Sequence, residues 1–344
     1  MRVLHVISEM GAGGAEALVA GMALAGSDVG WESAVASGGG FRADAVAAGG
    51  VAVFDVPLAR RSGVGVLRAA WATRKAVRRF RPDVVLAHNV SASLVARIAA
   101  PRRPLVTVFH GVADADVAGA VRVLRRVSDA VVAVASASAT RLLDAGLDSV
   151  TVIPNAVFPS AAKVDRATVR KSIGTGPDVP VALCPARLEP QKRHDVLLDA
   201  WAQVPGNAEL WLAGDGSLRS QLEARQPSRV RFLGTRTDVR DLLEAADVTV
   251  LTSDWEGMPI ALLESLAAER PIVATDVDGV REVLSGGGGV LVPRRDPASA
   301  AKALRDLLYS PVARAVATSR DGSADAHALM KSYDELLRTV LEGR

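Results

Sequence analysis

Thirteen short runs of aliphatic and β-branched residues alternate with longer Ala-, Leu- and Arg-rich stretches along this chain. That alternation narrows the fold more than any motif does. In the first half the runs fall at 3–7, 33–36, 51–56, 84–87, 105–109, 131–134 and 150–153. In the second they fall at 181–184, 209–213, 231–233, 248–251, 272–275 and 290–292. They are apolar through their length instead of alternating with polar residues, which is the pattern of parallel strands covered on both faces. Strand and helix patterns in steady succession predict an α/β chain built on doubly wound parallel sheets.

One twisted sheet of that many strands is too wide to be stable, and 344 residues are enough for two domains. The best boundary is Ile153-Pro-Asn-Ala-Val-Phe-Pro-Ser, ahead of a polar segment that reaches Pro180 and holds Gly174, Gly176 and Pro177. The expected organisation is two Rossmann-like domains, residues 1–158 and 159–322, facing a cleft, followed by a terminal segment at 323–344. After Asp321-Gly-Ser the pattern predicts a helix over about 324–341, free to pack back on either domain.

Hydrophobic residues make up 49% of the chain and aromatic residues only 4%, so the cores are built from Ala, Val and Leu. A formal charge of +3 gives no reason to expect nucleic acid. Cys184 is the single cysteine. It cannot close an internal disulfide and reads as a buried thiol in a reducing compartment. Met1-Arg-Val-Leu-His-Val-Ile is too short, and too soon followed by Glu9, for a signal peptide. No run of about 18 uninterrupted apolar residues occurs. The expected location is cytoplasmic.

Glu256 and Glu264, with seven residues between them, carry the densest chemistry: Asp254-Trp-Glu-Gly-Met-Pro-Ile-Ala-Leu-Leu-Glu. Gly257 gives a tight turn after the 248–251 run, and Pro259 suits the first position of a helix. Glu256 then sits in a strand-to-helix loop, with Glu264 more than one turn along the helix. Helical rise puts the carboxylates about 8–12 Å apart. Between them lie the helix's free N–H groups and positive end, which attract phosphate. A ligand with hydroxyls at both ends and a diphosphate in the middle matches that layout, as a nucleotide-diphosphate sugar does. Acidic residues near helix N-termini are also common for dipole reasons alone.

Arg187-Leu-Glu-Pro-Gln-Lys192 follows the 181–184 strand, at the carboxyl end where open α/β sheets bind ligands. Two cations there suit a diphosphate and its growing charge as it leaves; ordinary surface charge is the plainer reading. Gly11-Ala-Gly-Gly-Ala-Glu16 follows the first strand and opens a helix, so the backbone at Gly13 and Gly14 can approach phosphate or sugar. The pattern stops short of a dinucleotide fingerprint, because Glu16 replaces the last glycine and Ala36-Ser-Gly-Gly-Gly supplies no acid for a ribose. Leu212-Ala-Gly-Asp-Gly-Ser217 closes another strand, again placing backbone beside the expected cleft. Leu233-Gly-Thr-Arg236 does the same one strand later, with Gly234 as a base-edge contact.

His110 ends the 105–109 strand and is expected to enter the cleft opposite Glu256, where a histidine can orient a hydroxyl or share its proton. His88-Asn89 is a weaker candidate of the same kind. Asp114-Ala-Asp116 and Asp276-Val-Asp278 lack a convincing third ligand, so no metal is assigned. The segment 60–81 reads as a basic amphipathic helix, either lying on an anionic membrane surface or turning its apolar stripe to its own sheet.

Taken in order, these elements resemble the retaining, nucleotide-sugar-dependent glycosyltransferases of family 4, which have the GT-B fold. The likeness rests on Gly13-Gly-Ala-Glu16, Arg81-Pro-Asp-Val-Val-Leu-Ala-His-Asn, His110-Gly, Ser128-Asp-Ala-Val-Val-Ala-Val-Ala, Ile153-Pro-Asn155, Leu212-Ala-Gly-Asp-Gly and, most specifically, Arg187…Lys192 with Glu256-Gly-Met-Pro…Glu264. The resemblance implies that Arg187 and Lys192 hold the diphosphate, Glu264 the ribose hydroxyls and Glu256 a hydroxyl of the donor sugar. Gly257, Met258, Pro259 and Ile260 would contact sugar and phosphate. Gly13 and Gly14 would close over the phosphates, and His110 would lie beside the transferred sugar. Glu256 would be a positioning and electrostatic group, not a covalent nucleophile.

The implied reaction is retaining transfer of a hexosyl or N-acetylhexosaminyl group from an NDP-sugar, UDP in preference to GDP, with no metal and no cofactor beyond that substrate. The acceptor would be a hydroxyl of a glycan, a lipid-linked glycan or a natural product. A lipid-linked acceptor would bring the protein to the inner face of a membrane as a peripheral visitor. A nucleotide-sugar epimerase on the same fold and a non-catalytic nucleotide-sugar-binding subunit stay open as alternatives. The chain departs from the family where glycine is common: Ala156 after Asn155, Arg193 after Lys192, Glu269 at a helix end and Asp278 before Gly279.

Overall fold

The computed structural model describes residues 1–58, 63–158, 160–225, 228–318 and 325–343. The chain divides into two compact units, one comprising Met1–Phe158 with Asp325–Arg344 and the other Pro159–Ala324. The expected boundary at 322/323 lies outside the described residues.

In the first unit the strands are β1 (Arg2–Val6), β2 (Glu32–Ser37), β3 (Ala52–Asp55), β4 (Val84–Ala87), β5 (Leu105–Phe109), β6 (Ala130–Ala133) and β7 (Thr151–Val152). They form one parallel sheet in the order β3-β2-β1-β4-β5-β6-β7. The register sets Val3 opposite Ser33 on one side and Val84 on the other. Every residue of β4 and β5 is buried, which is why these runs show no polar alternation. The last run is shorter than expected, although Ile153 continues its ladder with an N–H bond to the Ala133 carbonyl (3.0 Å).

The strand order reverses between β1 and β4, a topological switch point where the connections leave room for a ligand at the carboxyl ends of the strands. Helix Gly14–Leu24 packs on Phe41–Ala48, while Gly63–Phe80 packs on Val90–Ala99 and that on Val117–Val127. The helix Ala326–Glu342 completes this unit from the far end of the sequence. Asp325 caps it by accepting from the His327 N–H (2.9 Å), and Leu329, Met330, Tyr333 and Leu337 are its buried face. Trp31 donates its indole N–H to Asp334 at 2.8 Å, fixing the helix beside the turn that precedes β2.

The second unit carries β8 (Val181–Cys184), β9 (Glu209–Ala213), β10 (Val230–Gly234), β11 (Val248–Leu251), β12 (Ile272–Thr275) and β13 (Gly289–Val292). Their order is β10-β9-β8-β11-β12-β13, all parallel, with the switch point between β8 and β11. Val181, Leu183, Trp211, Leu242 and Leu243 pack in its core. Arg170, only 2% exposed, pays for its burial with a full set of partners: the carbonyls of Ala245, Gly176, Pro177 and Val179 and the Asp247 carboxylate. Asp247 also accepts from the Val181 N–H at 2.8 Å, so the polar segment that follows the domain boundary is tied to the entry of β8.

Candidate active site

At the carboxyl end of β8 the chain runs into an exposed Arg187 and then a single 3-10 turn, Pro190–Lys192. The loop after β9 lies directly on it. Leu188 N–H donates to the Asp215 carbonyl (2.9 Å), and Glu189 accepts from both the N–H (3.0 Å) and hydroxyl (2.7 Å) of Ser217. Those bonds hold the Glu189 carboxyl below its ordinary range. A Cβ on Gly216 would come within 2.5 Å of the Leu188 carbonyl oxygen, and one on Gly214 would overlap that of Ala186. The glycines of Leu212-Ala-Gly-Asp-Gly are therefore required by loop-on-loop contact. Gly234, at φ +68, bridges to Gly214 and shares in the same contact.

The loop after β11 meets the same turn from its other side. Asp254 N–H donates to the Gln191 carbonyl (2.9 Å), the Gln191 amide donates to the Trp255 carbonyl (2.8 Å), and the Thr252 hydroxyl donates to the Arg193 carbonyl (3.0 Å). This lacing brings the Lys192 ammonium to 2.5 Å from Glu256 Oε1, with the two side chains 15% and 7% exposed. Sequence reasoning set Lys192 on a phosphate and Glu256 on a sugar hydroxyl; the structure makes them one ion pair at the switch point. Beneath them lies Cys184, whose thiol burial pushes up to about 12, leaving it an inert neighbour. His194 lies within 3.6 Å of its sulfur and is pushed down to about 4 by burial and by Lys192.

Pro259 takes the N-cap position with φ −71 and ψ 114, one residue earlier than expected, and helix Ile260–Ala267 follows. No side chain caps that helix start; the Leu262 N–H turns back onto the Pro259 carbonyl (3.1 Å), which leaves the N–H groups of Ile260 and Ala261 and the positive end of the helix for an anion. Gly257 and Met258 sit in the turn just before it, and a Cβ on Gly279 would overlap the Gly257 carbonyl. Ile260 is buried and Glu264, half-buried, is the fifth helical residue.

Two of the departures from family glycines occupy left-handed backbone: Arg193 at φ +50 and Glu269 at φ +55. That conformation costs a side-chain-bearing residue roughly 1–2 kcal/mol. At Arg193 the cost is met by its side chain, which forks onto Asp195 (2.9 and 2.8 Å) and reaches Asp254 (3.3 and 3.1 Å). Ala156 is buried, and Asp278 opens the short helix Asp278–Val283.

In the first unit Gly13 is the N-cap of helix Gly14–Leu24, in extended conformation. The Glu16 side chain folds back over it, into the space a Cβ on Gly13 would fill. Glu16 at the third helical position reaching back to the N-cap is one half of a capping box. The glycine run after β2 is also a matter of backbone approach, since a Cβ on Gly40 would lie 2.6 Å from the Met10 carbonyl oxygen. His110 follows β5, and with it the structure brings together two other histidines. His5 Nδ1 lies 3.1 Å from His88 Nε2, and the rings of His88 and His110 stack with centroids 6.1 Å apart. Burial pushes His5 and His110 down to about 4 and His88 well below its ordinary value, so all three are neutral near pH 7. Asn89 serves the fold: it accepts from the Ala92 N–H at 2.7 Å as the cap of helix Val90–Ala99.

The profile described as Glycosyltransferase Family 4 matches residues 12–160, and that described as Glycosyl transferases group 1 matches residues 179–310. The chain belongs to glycosyltransferase family 4. It is 30% identical over 224 residues to the lipopolysaccharide core biosynthesis glycosyltransferase LpsE of Rhizobium meliloti (strain 1021), covering 62% of this chain and 65% of that protein. It is 30% identical over 285 residues to the glycogen synthase of Mycobacterium tuberculosis (strain ATCC 25618 / H37Rv), covering 73% and 66%. The chain thus spans a little less than two thirds of these curated relatives. The crystal structure of Anabaena HepE in complex with UDP-glucose aligns with a TM-score of 0.85 over 98% of this chain and 100% of that one, at 23% identity. The fold shared is GT-B, two Rossmann-like parallel α/β units.

Within this family 4 chain both Asp-x-Asp strings have structural partners: Asp114 pairs with Arg141 (2.6 Å) and Asp276 with Arg281 (2.6 Å). Among the described residues no group of three or more His, Cys, Asp or Glu is arranged to hold a metal ion, and no helix is long and apolar enough to cross a membrane. Sequence reasoning missed His5, Asp254 and Arg295. A histidine in the middle of the apolar run 3–7 was a readable signal for the first. Arg295 carried none, because its partner Asp254 lies 41 positions away.

Proposed function

We propose that this protein transfers a sugar, with retention of anomeric configuration, from an NDP-sugar to an acceptor hydroxyl. The observation that carries the reading is the Lys192–Glu256 pair at the β8/β11 switch point, set beside an uncapped helix start. A cation, a carboxylate and free helix N–H groups at one spot serve a sugar diphosphate: the N–H groups and Lys192 take the charge of the departing diphosphate, and Glu256 orients the sugar. Arg187 adds a second cation and Glu264 binds the ribose hydroxyls. Gly234 and residues 257–260 line the donor. In the first unit, His110, held neutral, can donate or accept one hydrogen bond to a sugar hydroxyl, and the backbone at Gly13 and Gly14 opens a helix start that suits phosphate.

UDP is the preferred nucleotide, supported by HepE, whose crystal structure holds UDP-glucose. A glycan or lipid-linked glycan is the preferred acceptor, supported by LpsE, which is named for lipopolysaccharide core biosynthesis. The donor group is hexosyl or N-acetylhexosaminyl, and no metal or cofactor takes part. The protein works in the cytoplasm, with peripheral contact at a membrane through helix Gly63–Phe80.

Calorimetric titration with UDP- and GDP-sugars, followed by transfer assays, tests the reading. Glu256→Ala is expected to lower kcat on the order of 10²-fold while changing the affinity for free UDP less than about threefold. Lys192→Ala is expected to weaken both by about tenfold or more, and to lose stability because it strands a buried carboxylate. Unchanged turnover in Glu256→Ala defeats the assignment. Full activity in EDTA is expected, and a strict Mg²⁺ or Mn²⁺ requirement defeats the metal-free mechanism.

A further inference from the structure

We propose that Arg193 is a positioning residue for the transfer reaction, acting through Asp254 to hold the Lys192 turn in register with the Glu256 loop. The inference rests on the glycosyl-transfer reading above. Arg193 adjoins Lys192, and Asp254 stands two residues before Glu256, so a link between Arg193 and Asp254 fixes the two chemical groups from their flanks. The link is built from both ends. Arg193 donates to both oxygens of Asp254 and, by a second fork, to both oxygens of Asp195 on its own helix. Arg295 then forks onto the same Asp254 carboxylate from the segment after β13, at 3.0 and 2.8 Å, while Arg294 donates to the Asp254 carbonyl at 3.0 Å.

Both forking arginines hold left-handed backbone, φ +50 at Arg193 and φ +59 at Arg295. Glycine suits such positions better than any other residue. A chain that places Arg at both, and converges both on one carboxylate, is using the side chains. Arg193 and Asp254 are each about four-fifths shielded from water (22% and 19% exposed), so their attraction is less screened than that of a surface pair. Asp254 is held below the ordinary carboxylate range by its bonds to Arg295 and Arg193. A misplacement of about 1 Å at a reacting centre is enough to cost a large factor in rate.

The test compares wild type with Arg193→Gly, Arg193→Lys, Asp254→Asn and the double variant Arg193→Gly/Asp254→Asn. Each is read by kcat, donor KM, UDP affinity and thermal midpoint. Arg193→Gly relieves the backbone, so a residue that merely fills the turn leaves activity unchanged or improved. A positioning role instead predicts a loss of about tenfold in kcat that exceeds any loss of UDP affinity, because Lys192 is displaced but Arg187 and Glu264 lie outside the link. Arg193→Lys keeps the charge but not the fork and is expected to recover only part of the loss. The double variant is expected to be no worse than the poorer single one, since both changes break the same contact. Wild-type kcat in Arg193→Gly overturns the inference, as do losses that multiply in the double variant or activity that falls only in step with the thermal midpoint. A wild-type protein that binds no sugar nucleotide overturns the glycosyl-transfer reading, and this inference with it.

Discussion

A neutral imidazole carries one N–H and one bare nitrogen, so the His5–His88 bond has only two arrangements. If His5 donates, His88 keeps its proton on Nδ1; if His88 donates, His5 keeps its own on Nε2. Both of those outer nitrogens are buried without a hydrogen-bond partner among the described residues. Protonating either ring would add a buried charge to an already unsatisfied atom, which is why burial depresses these groups so far. Between pH 6.5 and about 4 the unfolded chain binds protons at His5, His88, His110 and His194 that the folded chain refuses. Stability is therefore expected to be flat above pH 6.5 and to fall as pH drops through that window. The slope approaches about 1.4 kcal/mol per pH unit for each histidine fully charged when unfolded. Urea unfolding between pH 7 and 4.5 measures the slope, and His88→Gln should make it shallower; an identical slope in that variant rejects the account. At this scale the sequence was legible where neighbours in the chain decide the chemistry, as at Glu256-Gly-Met-Pro. It was not legible at Arg193, whose left-handed backbone is held through Asp254, far along the chain.

Helix Gly63–Phe80 shows what periodicity reveals about an element and what it leaves out. The spacing announces an amphipathic helix, yet the faces are not divided as the apolar residues suggest. Ala69, Ala70, Thr73, Ala76 and Phe80 face the protein, small residues that let the helix sit close, while Val64, Leu67 and Trp71 lie outward at 62–70% exposure. Arg68, Arg74, Lys75, Arg78 and Arg79 share that outward side, with the Lys75 ammonium 3.5 Å above the Trp71 ring. The helix has no acidic residue and carries +5 against +3 for the whole chain, so everything else together is −2. Arg60 and Arg61 of the same basic segment lie outside the described residues. An exposed apolar stripe flanked by cations fits the boundary of an anionic bilayer. Phosphatidylglycerol vesicles are expected to co-sediment with the protein at low salt and to release it by about 0.5 M NaCl, where charges are screened beyond roughly 4 Å. Trp71→Glu should abolish binding at any salt; retention by that variant removes the helix from the account.

On the scale of the whole molecule, the expected runs all became strands because uninterrupted apolar stretches have few other uses in a chain this poor in long hydrophobic helices. The two sheet orders were not written in any local pattern. They follow from right-handed crossovers and from which helices pack together, facts that belong to the assembled chain. The same holds for helix Ala326–Glu342, whose sequence predicted a helix but left its seat open between two domains. Its Tyr333 is fully buried in the first unit with a hydroxyl that has no partner among the described residues. Tyr333→Ala is expected to cost about 3–5 kcal/mol, and Tyr333→Phe to cost nothing or to stabilise. Urea midpoints of the two variants decide it, and a large loss in Tyr333→Phe would point to a hidden partner for the hydroxyl. The seat of that helix also bears on the order of events at the ribosome. Domains usually mature in the order they are translated, but here residues 325–343 supply part of the first unit's core and emerge after the whole of the second. The second unit can finish while the nascent first unit still waits, with the indole of Trp31 lacking Asp334, for residues 325–343 to leave the exit tunnel.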